Sequence, residues 1–170
     1  MDELIKTLQQ DREFLKNVSH WEVLKARKGH YSPFPEEIYP ALRKALLVNG
    51  ITELYSHQLE CYEAVKDKQN IVVVTPTASG KTLCYNLPVL QALQEDPNSK
   101  AMYIFPTKAL SQDQQAELNS IIEVGGIQAK VYTYDGDTPS SIRVSARQQG
   151  QIVVTNPDML HTGILPNHPK

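Results

Sequence analysis

The chain has 170 residues, of which 41% are hydrophobic and 21% charged, with 8 Gly and 11 Pro, which excludes a low-complexity or disordered chain and fits a single domain able to bury its own core. The 17 basic residues face 19 acidic ones, for a net charge of −2. There is thus no global basic field of the kind that dominates non-specific DNA affinity, and any nucleic acid has to be held by local geometry.

The chain starts with an acidic, amphipathic MDELIK, and Leu4, Leu8, Phe14, Leu15 and Val18 form a helical stripe. The breaker-rich connector Gly29-His30-Tyr31-Ser32-Pro33-Phe34-Pro35 follows, so 1–34 reads as a helical accessory extension. The start lacks the charge and apolar pattern of a signal peptide. The longest aliphatic run, Ile71-Val72-Val73-Val74, is far shorter than the ~18 apolar residues of a membrane span. The expectation is a soluble protein without membrane contact. A helix is predicted from Pro35-Glu36-Glu37 through Ile38, Leu42, Ala45 and Leu46 to a stop at Gly50. A second should run from an N-cap at Ser56 through Leu59, Tyr62 and Val65, with Lys66-Asp67-Lys68 as solvated charge behind it.

From residue 71 strands alternate with helices, which predicts an α/β fold with a parallel sheet covered on both faces. The strands are predicted at 71–75, 101–105, 129–133 and 151–155. Helices are predicted at 81–94, split or kinked by Pro88, at 110–123, and at 139–149 with Thr138 as N-cap and Pro139 at the first helical position. Ligands of such sheets bind beyond the carboxyl ends of the strands. Cys61 and Cys84 belong to no C-x-x-C or zinc pattern and read as core thiols of a cytoplasmic protein. The five histidines, 20, 30, 57, 161 and 168, show no ligand spacing and read as surface or packing residues.

At the end of the first predicted strand stands TPTASGKT, Thr75 to Thr82, immediately ahead of a helix. Such a loop aims successive backbone N–H groups and a helix N-terminus at one point, a site for phosphate oxygens. Thr75, Pro76, Thr77, Ala78, Ser79 and Gly80 are the expected cradle; Lys81 would neutralise the β- and γ-phosphates, and the Thr82 hydroxyl would ligate Mg²⁺. Thr75 stands where the phosphate-loop pattern has its first glycine. Pro106, Thr107 and Lys108 at the end of the second strand, and Thr155, Asn156 and Pro157 at the end of the last, form two further strand-to-helix junctions. Either can hold a backbone phosphate of a nucleic-acid strand, and the same residues can simply cap helices. Asp135-Gly136-Asp137 reads as an acidic turn before Thr138 rather than a metal site.

GITELYSHQ, Gly50 to Gln58, resembles the Q motif of superfamily 2 helicases, and TPTASGKT resembles their motif I, with Ala78 in place of the middle glycine. FPTKALSQDQ, Phe105 to Gln114, resembles motif Ia, and TNPDML, Thr155 to Leu160, resembles motif Ib. TYDGDTP, Thr133 to Pro139, resembles the branch of DEAD/DEAH-type helicases that contains the bacterial mitomycin repair factor A enzymes and their fungal RecQ-like relatives. The resemblance spans about residues 50–170. It implies a RecA-like phosphate-loop domain over 35–170 that binds ATP and Mg²⁺. Gln58 would read the adenine edge with one amide donor and one acceptor, with Tyr55 packed near the base. Pro106, Thr107, Lys108, Gly136, Asp137, Thr155, Asn156 and Pro157 would line a path for single-stranded or partly duplex DNA.

The resemblance further implies a 3′ to 5′ DNA helicase concerned with repair, working with a second RecA-like domain. The D-E-x-H motif that hydrolysis requires in this superfamily is not reached by Lys170, so the 170 residues read as an N-terminal piece, inactive in hydrolysis by itself. An RNA helicase of the DEAD-box type and a nucleotide-gated nucleic-acid-binding module that never hydrolyses ATP remain as alternatives. A metabolic kinase would need neither Gln58 nor the Thr107 and Thr155 loops.

Overall fold

The structure is a computed structural model that describes residues 2–24 and 28–167; His168 lies outside the described residues. Two short helices open the chain, α1 (Asp2–Gln10) and α2 (Arg12–Leu15). The Asp11 carboxylate caps α2 by accepting from Glu13 N at 2.9 Å and Phe14 N at 3.1 Å. Their apolar stripe stays partly exposed, and Phe14 meets Trp21 edge to face at 6.5 Å.

The two-residue strands β1 (Tyr31–Ser32) and β2 (Leu54–Tyr55) pair antiparallel, with Tyr31 opposite Tyr55. Between them, α3 (Pro40–Val48) starts later than predicted, because Pro35 heads a turn whose carbonyl accepts from Ile38 N and from the Arg43 guanidinium, leaving Pro40 to take the first helical position. Gly50 ends this helix as expected. Its φ of +77° is open to glycine at no steric cost and lets Ile51 N–H reach back to Leu46 O at 2.9 Å. Helix α4 (Ser56–Lys66) begins at Ser56, with Tyr55 as the N-cap in place of the expected Ser56.

The predicted strand at 71–75 is not a strand: among the described residues it joins no β-ladder, and Val72 and Val74 are 90% and 89% exposed. A β-branched run needs a neighbour to complete its ladder and cover its faces, and no described segment lies in that place. Helix α5 (Lys81–Glu95) runs unbroken through Pro88, which is buried. The sheet is three parallel strands in the order β3 (Ala101–Ile104), β5 (Ile152–Thr155), β4 (Val131–Tyr134), with β4 shifted two residues from its predicted start. Helices α6 (Lys108–Gly125) and α7 (Ser140–Gln149) connect them. Pro139, not Thr138, precedes α7 as its N-cap, because the Thr138 hydroxyl is used by Asp135. The chain continues from β5 into the one-turn α8 (Pro157–Met159) and two further turns, Leu160–Ile164 and Leu165–Asn167.

One face of the sheet carries the core, in which Ile152 and Val154 of β5 pack with Leu42 and Leu46 of α3, Leu87 and Leu90 of α5, and Leu118 and Ile121 of α6. The other face is only partly covered, against the expectation of two covered faces. There α7 and the last turns leave a groove of ≈ 690 Å³ lined by Met102, Val144, Arg147, Val153 and Ile164 among others. Cys61 and Cys84 are buried free thiols on α4 and α5. Among the described residues no helix is long and apolar enough to cross a membrane.

Leu87→Ala should cost about 2–5 kcal/mol in chemical denaturation, because its side chain leaves a cavity in the fully buried core, whereas Val72→Ser should change stability by less than about 0.5 kcal/mol. A second expectation concerns pH. Burial, and then the neighbouring Cys61 thiol, push the Cys84 thiol up to about 12 from an ordinary value of 9.0. The folded protein thus holds this proton more tightly than the unfolded chain does. The resulting stability is complete below the unfolded value and is lost as the pH rises toward the folded one. The melting temperature of the wild type should therefore fall more steeply than that of Cys84→Ala between roughly pH 9 and pH 11.

Candidate nucleotide and nucleic-acid site

The loop Thr75–Gly80 leads into the N-terminus of α5, where the first turn of a helix leaves its N–H groups without intrahelical partners. Gly80 sits at φ +74°, and a Cβ there would lie 2.6 Å from Gln58 Nε2, so both conformation and space demand glycine. Ala78 also takes a left-handed conformation, at φ +59°, at the position where the resembling motif has glycine. The hydroxyls of Thr75 and Ser79 lie 2.6 Å apart, and Lys81 Nζ donates to Thr75 O at 3.0 Å and Pro76 O at 2.8 Å, closing the loop on itself.

Gln58 is 4% exposed and joins α4 to this loop. Its Oε1 accepts from Tyr55 N at 2.9 Å, and its Nε2 donates to Gly80 O at 2.9 Å. A primary amide has two donors and two acceptor lone pairs, so one of each is left over. Beside it, Tyr55 lies in a column of rings, stacked on Tyr31 at 4.8 Å and on His57 at 5.5 Å. His57 Nε2 contacts Ser79 O at 3.0 Å. Tyr31 and His57 thus belong to the surroundings of the loop. For Tyr31 the sequence held no signal, and for His57 the only one was its position beside Gln58.

The Thr82 hydroxyl donates to Gln114 Oε1 at 3.0 Å, and the Tyr85 hydroxyl donates to the same oxygen. Gln114 belongs to α6, so the helix that opens with Thr107-Lys108 also touches the phosphate loop's threonine.

A second cleft, ≈ 310 Å³ in volume, opens at the carboxyl ends of β4 and β5 beside the start of α6, lined by Lys108, Ser111, Gln112, Gln115, Thr133, Asp135, Thr155 and Asn156 among others. Thr107 caps α6 by accepting from Leu110 N at 3.3 Å, and Pro106 is exposed just ahead of it. Asn156 caps α8 by accepting from Met159 N at 2.9 Å, with Pro157 at the first helical position. The Thr155 side chain turns inward: it is 2% exposed and donates to Tyr134 O at 2.7 Å, which leaves its hydroxyl proton committed inside the fold.

The acidic turn is fixed by its own bonds. Asp135 Oδ1 accepts from Asp137 N and from the Thr138 hydroxyl, and Arg143 donates to the carbonyls of Asp135, Gly136 and Thr138. The Asp137 carboxylate pairs with Lys108 across the cleft mouth, which holds the lysine above and the aspartate below their ordinary values. Among the described residues no group of three or more His, Cys, Asp or Glu side chains is placed to hold a metal ion. If Mg²⁺ accompanies a nucleotide at this loop, Thr82 is the side chain of the loop that would offer it an oxygen ligand.

Residues 55–169 match the DEAD/DEAH box helicase family. An uncharacterized ATP-dependent helicase of Bacillus subtilis, YprA, is 53% identical over 155 residues, 91% of this chain and 21% of that protein. The ATP-dependent helicase HRQ1 of Saccharomyces cerevisiae is 36% identical over 98% of this chain and 15% of its own length. Among solved structures, the DUF1998 helicase MrfA bound to DNA and AMPPNP superposes with a TM-score of 0.88 at 50% identity, covering 99% of this chain and 23% of that one. The chain therefore spans between 15% and 23% of the length of these relatives. The parallel sheet flanked by helices is the fold of RecA-like helicase domains.

The left-handed Ala78 carries a steric cost of about 1–2 kcal/mol that glycine does not. Ala78→Gly should accordingly raise stability by roughly 0.5–1 kcal/mol after the added freedom of the unfolded chain is counted, and thermal melting checks it.

Proposed function

The chain belongs to the DEAD/DEAH box helicase family, and from that premise we propose that it is the ATP-binding part of a DNA helicase that couples ATP hydrolysis to movement along a strand. Residues 35–170 are in this reading the first RecA-like domain and 1–34 an accessory extension, in a cytoplasmic repair enzyme that moves 3′ to 5′ and closes on a second RecA-like domain. The helicase activity is that of the whole protein, and this chain supplies nucleotide binding and part of the strand grip.

The observation that carries the reading is the Gln58 amide, which bonds the loop at Gly80 and keeps one donor and one acceptor, the pair that the adenine edge requires. Lys81 would exchange the loop carbonyls for phosphate oxygens, an exchange that replaces neutral partners by charged ones. Thr82 supplies a hydroxyl ligand for Mg²⁺, which when bound offsets negative charge between the terminal phosphates. Strand binding is supported at the mouth of the second cleft. There Thr107, the N-terminal N–H groups of α6 and Lys108 face solvent, and Lys108 is released from Asp137 at small cost because the pair is exposed. Gly136 and Asp137 would border the strand through their backbone, with Asn156 and Pro157 at the next helix start; Thr155 takes part by position, not by its hydroxyl. That MrfA is described bound to DNA favours DNA over RNA.

Equilibrium binding tests the nucleotide half. Mg·ATP should bind in preference to Mg·GTP, Lys81→Ala should weaken ATP by roughly 30- to 150-fold, equivalent to about 2–3 kcal/mol, and Gln58→Ala should abolish the preference for adenine. Absence of nucleotide binding at millimolar concentrations, or an unchanged affinity in Lys81→Ala, would reject the reading. For the strand half, Lys108→Ala should lower the salt dependence of single-stranded DNA binding by about 0.7 in log–log slope.

A further inference from the structure

Three polar side chains from two helices meet at one oxygen. The Thr82 hydroxyl reaches Gln114 Oε1 at 3.0 Å, and the Tyr85 hydroxyl, one turn further along α5, reaches the same atom. An amide oxygen has two lone pairs, and these two donors fill both. Tyr85 is itself held from behind, packed edge to face on Tyr103 at 5.3 Å and tilted against Phe105 at 6.3 Å, so the oxygen is pinned from the core side. The consequence falls on Thr82. A neutral hydroxyl carries one proton and two lone pairs, and its proton is given to Gln114, which turns its lone pairs away from α6.

We propose that Gln114 is the positioning residue for the Thr82 hydroxyl, holding its proton so that its oxygen is presented to a divalent cation accompanying a bound nucleotide. The inference rests on the proposed nucleotide site and adds a residue to it from the motif Ia helix, outside the phosphate loop. The chemical need is general. A hydroxyl that ligates a cation through a lone pair has to point its proton elsewhere, and an acceptor on the far side fixes that orientation in advance. Without the acceptor the hydroxyl rotates among its three staggered positions, some of which aim the proton at the cation. Gln114 touches neither the nucleotide nor the cation in this scheme and acts only through Thr82.

The test separates nucleotide affinity from its enhancement by Mg²⁺. Binding of a fluorescent ATP analogue to the chain is titrated in EDTA and again at increasing Mg²⁺, for the wild type, Gln114→Met, which keeps the side chain's length without an acceptor, and Gln114→Glu, which keeps an acceptor. The expected result is an affinity in EDTA within about twofold of wild type for Gln114→Met and lower for Gln114→Glu, whose carboxylate repels the phosphates, with the Mg²⁺ enhancement cut about tenfold in Gln114→Met and retained in Gln114→Glu. Tyr85→Phe gives a further check, since it removes the hydroxyl beside Thr82 and Gln114 but keeps Gln114 as the acceptor for Thr82, and should leave the enhancement in place. Full Mg²⁺ enhancement in Gln114→Met overturns the proposal. So does a loss that is equal in EDTA and in Mg²⁺ and is not rescued by Gln114→Glu, because that is the signature of a packing role. Absence of analogue binding by the wild type overturns the nucleotide site itself, and the inference with it.

Discussion

The Gln58 amide spans 22 residues of sequence between the start of α4 and the phosphate loop, and the loop's shape depends on that span more than on the segment that leads into it. Among the described residues, 71–75 join no β-ladder, so the loop is not held by a ladder beneath it. It is instead held from the side, by Gln58 on Gly80 and His57 on Ser79. The same amide also accepts from Tyr55 N–H and so stabilises the first turn of α4. A group that caps one helix and steadies the entrance to another ties the two together. The α4–α5 contact in turn buries Cys61 and Cys84 away from water.

The second tie is α6. Its N-terminus opens at the second cleft, its side chain Gln114 reaches Thr82, and further along the helix Leu118 and Ile121 enter the core. Six residues separate Lys108 from Gln114, about 9 Å along a helix at 1.5 Å per residue. The Thr75–Gly80 loop and the second cleft are thus neighbours through one stiff element rather than through a relay of loops. Binding at one can bias the other only if α6 moves as a body, which restricts the form that coupling can take.

How much of this was legible in the sequence depends on whether the deciding contact was local. The runs at 101–104 and 152–155 fold as strands because neighbours complete their ladders, and Gly50 ends α3 because the turn there requires a left-handed residue. The run at 71–75 has the same β-branched composition and no neighbour, and composition measures fitness for a pleated, half-buried surface without saying whether that surface exists. Pro35 and Pro40 both satisfy the rule for a first helical residue, and only the turn made by Pro35 O decides between them. Thr138 has the chemistry of an N-cap but spends its hydroxyl on Asp135. Within the candidate site, Lys81 and Thr82 were readable from the phosphate-loop pattern, and Gln58 from the resemblance of its segment to the Q motif. Gln114 was not, because its partner lies 32 residues away on another helix. The inward turn of Thr155 was hidden for a similar reason, since it depends on Tyr134 of the adjacent strand.

The bare segment Ile71–Thr75 has a consequence for the chain in solution. It is short, uncharged, rich in β-branched residues and free of proline until Pro76, with Val72 and Val74 almost wholly in water. Among the described residues its backbone joins no ladder, so a strand laid beside it would both complete its hydrogen bonding and cover Val72 and Val74.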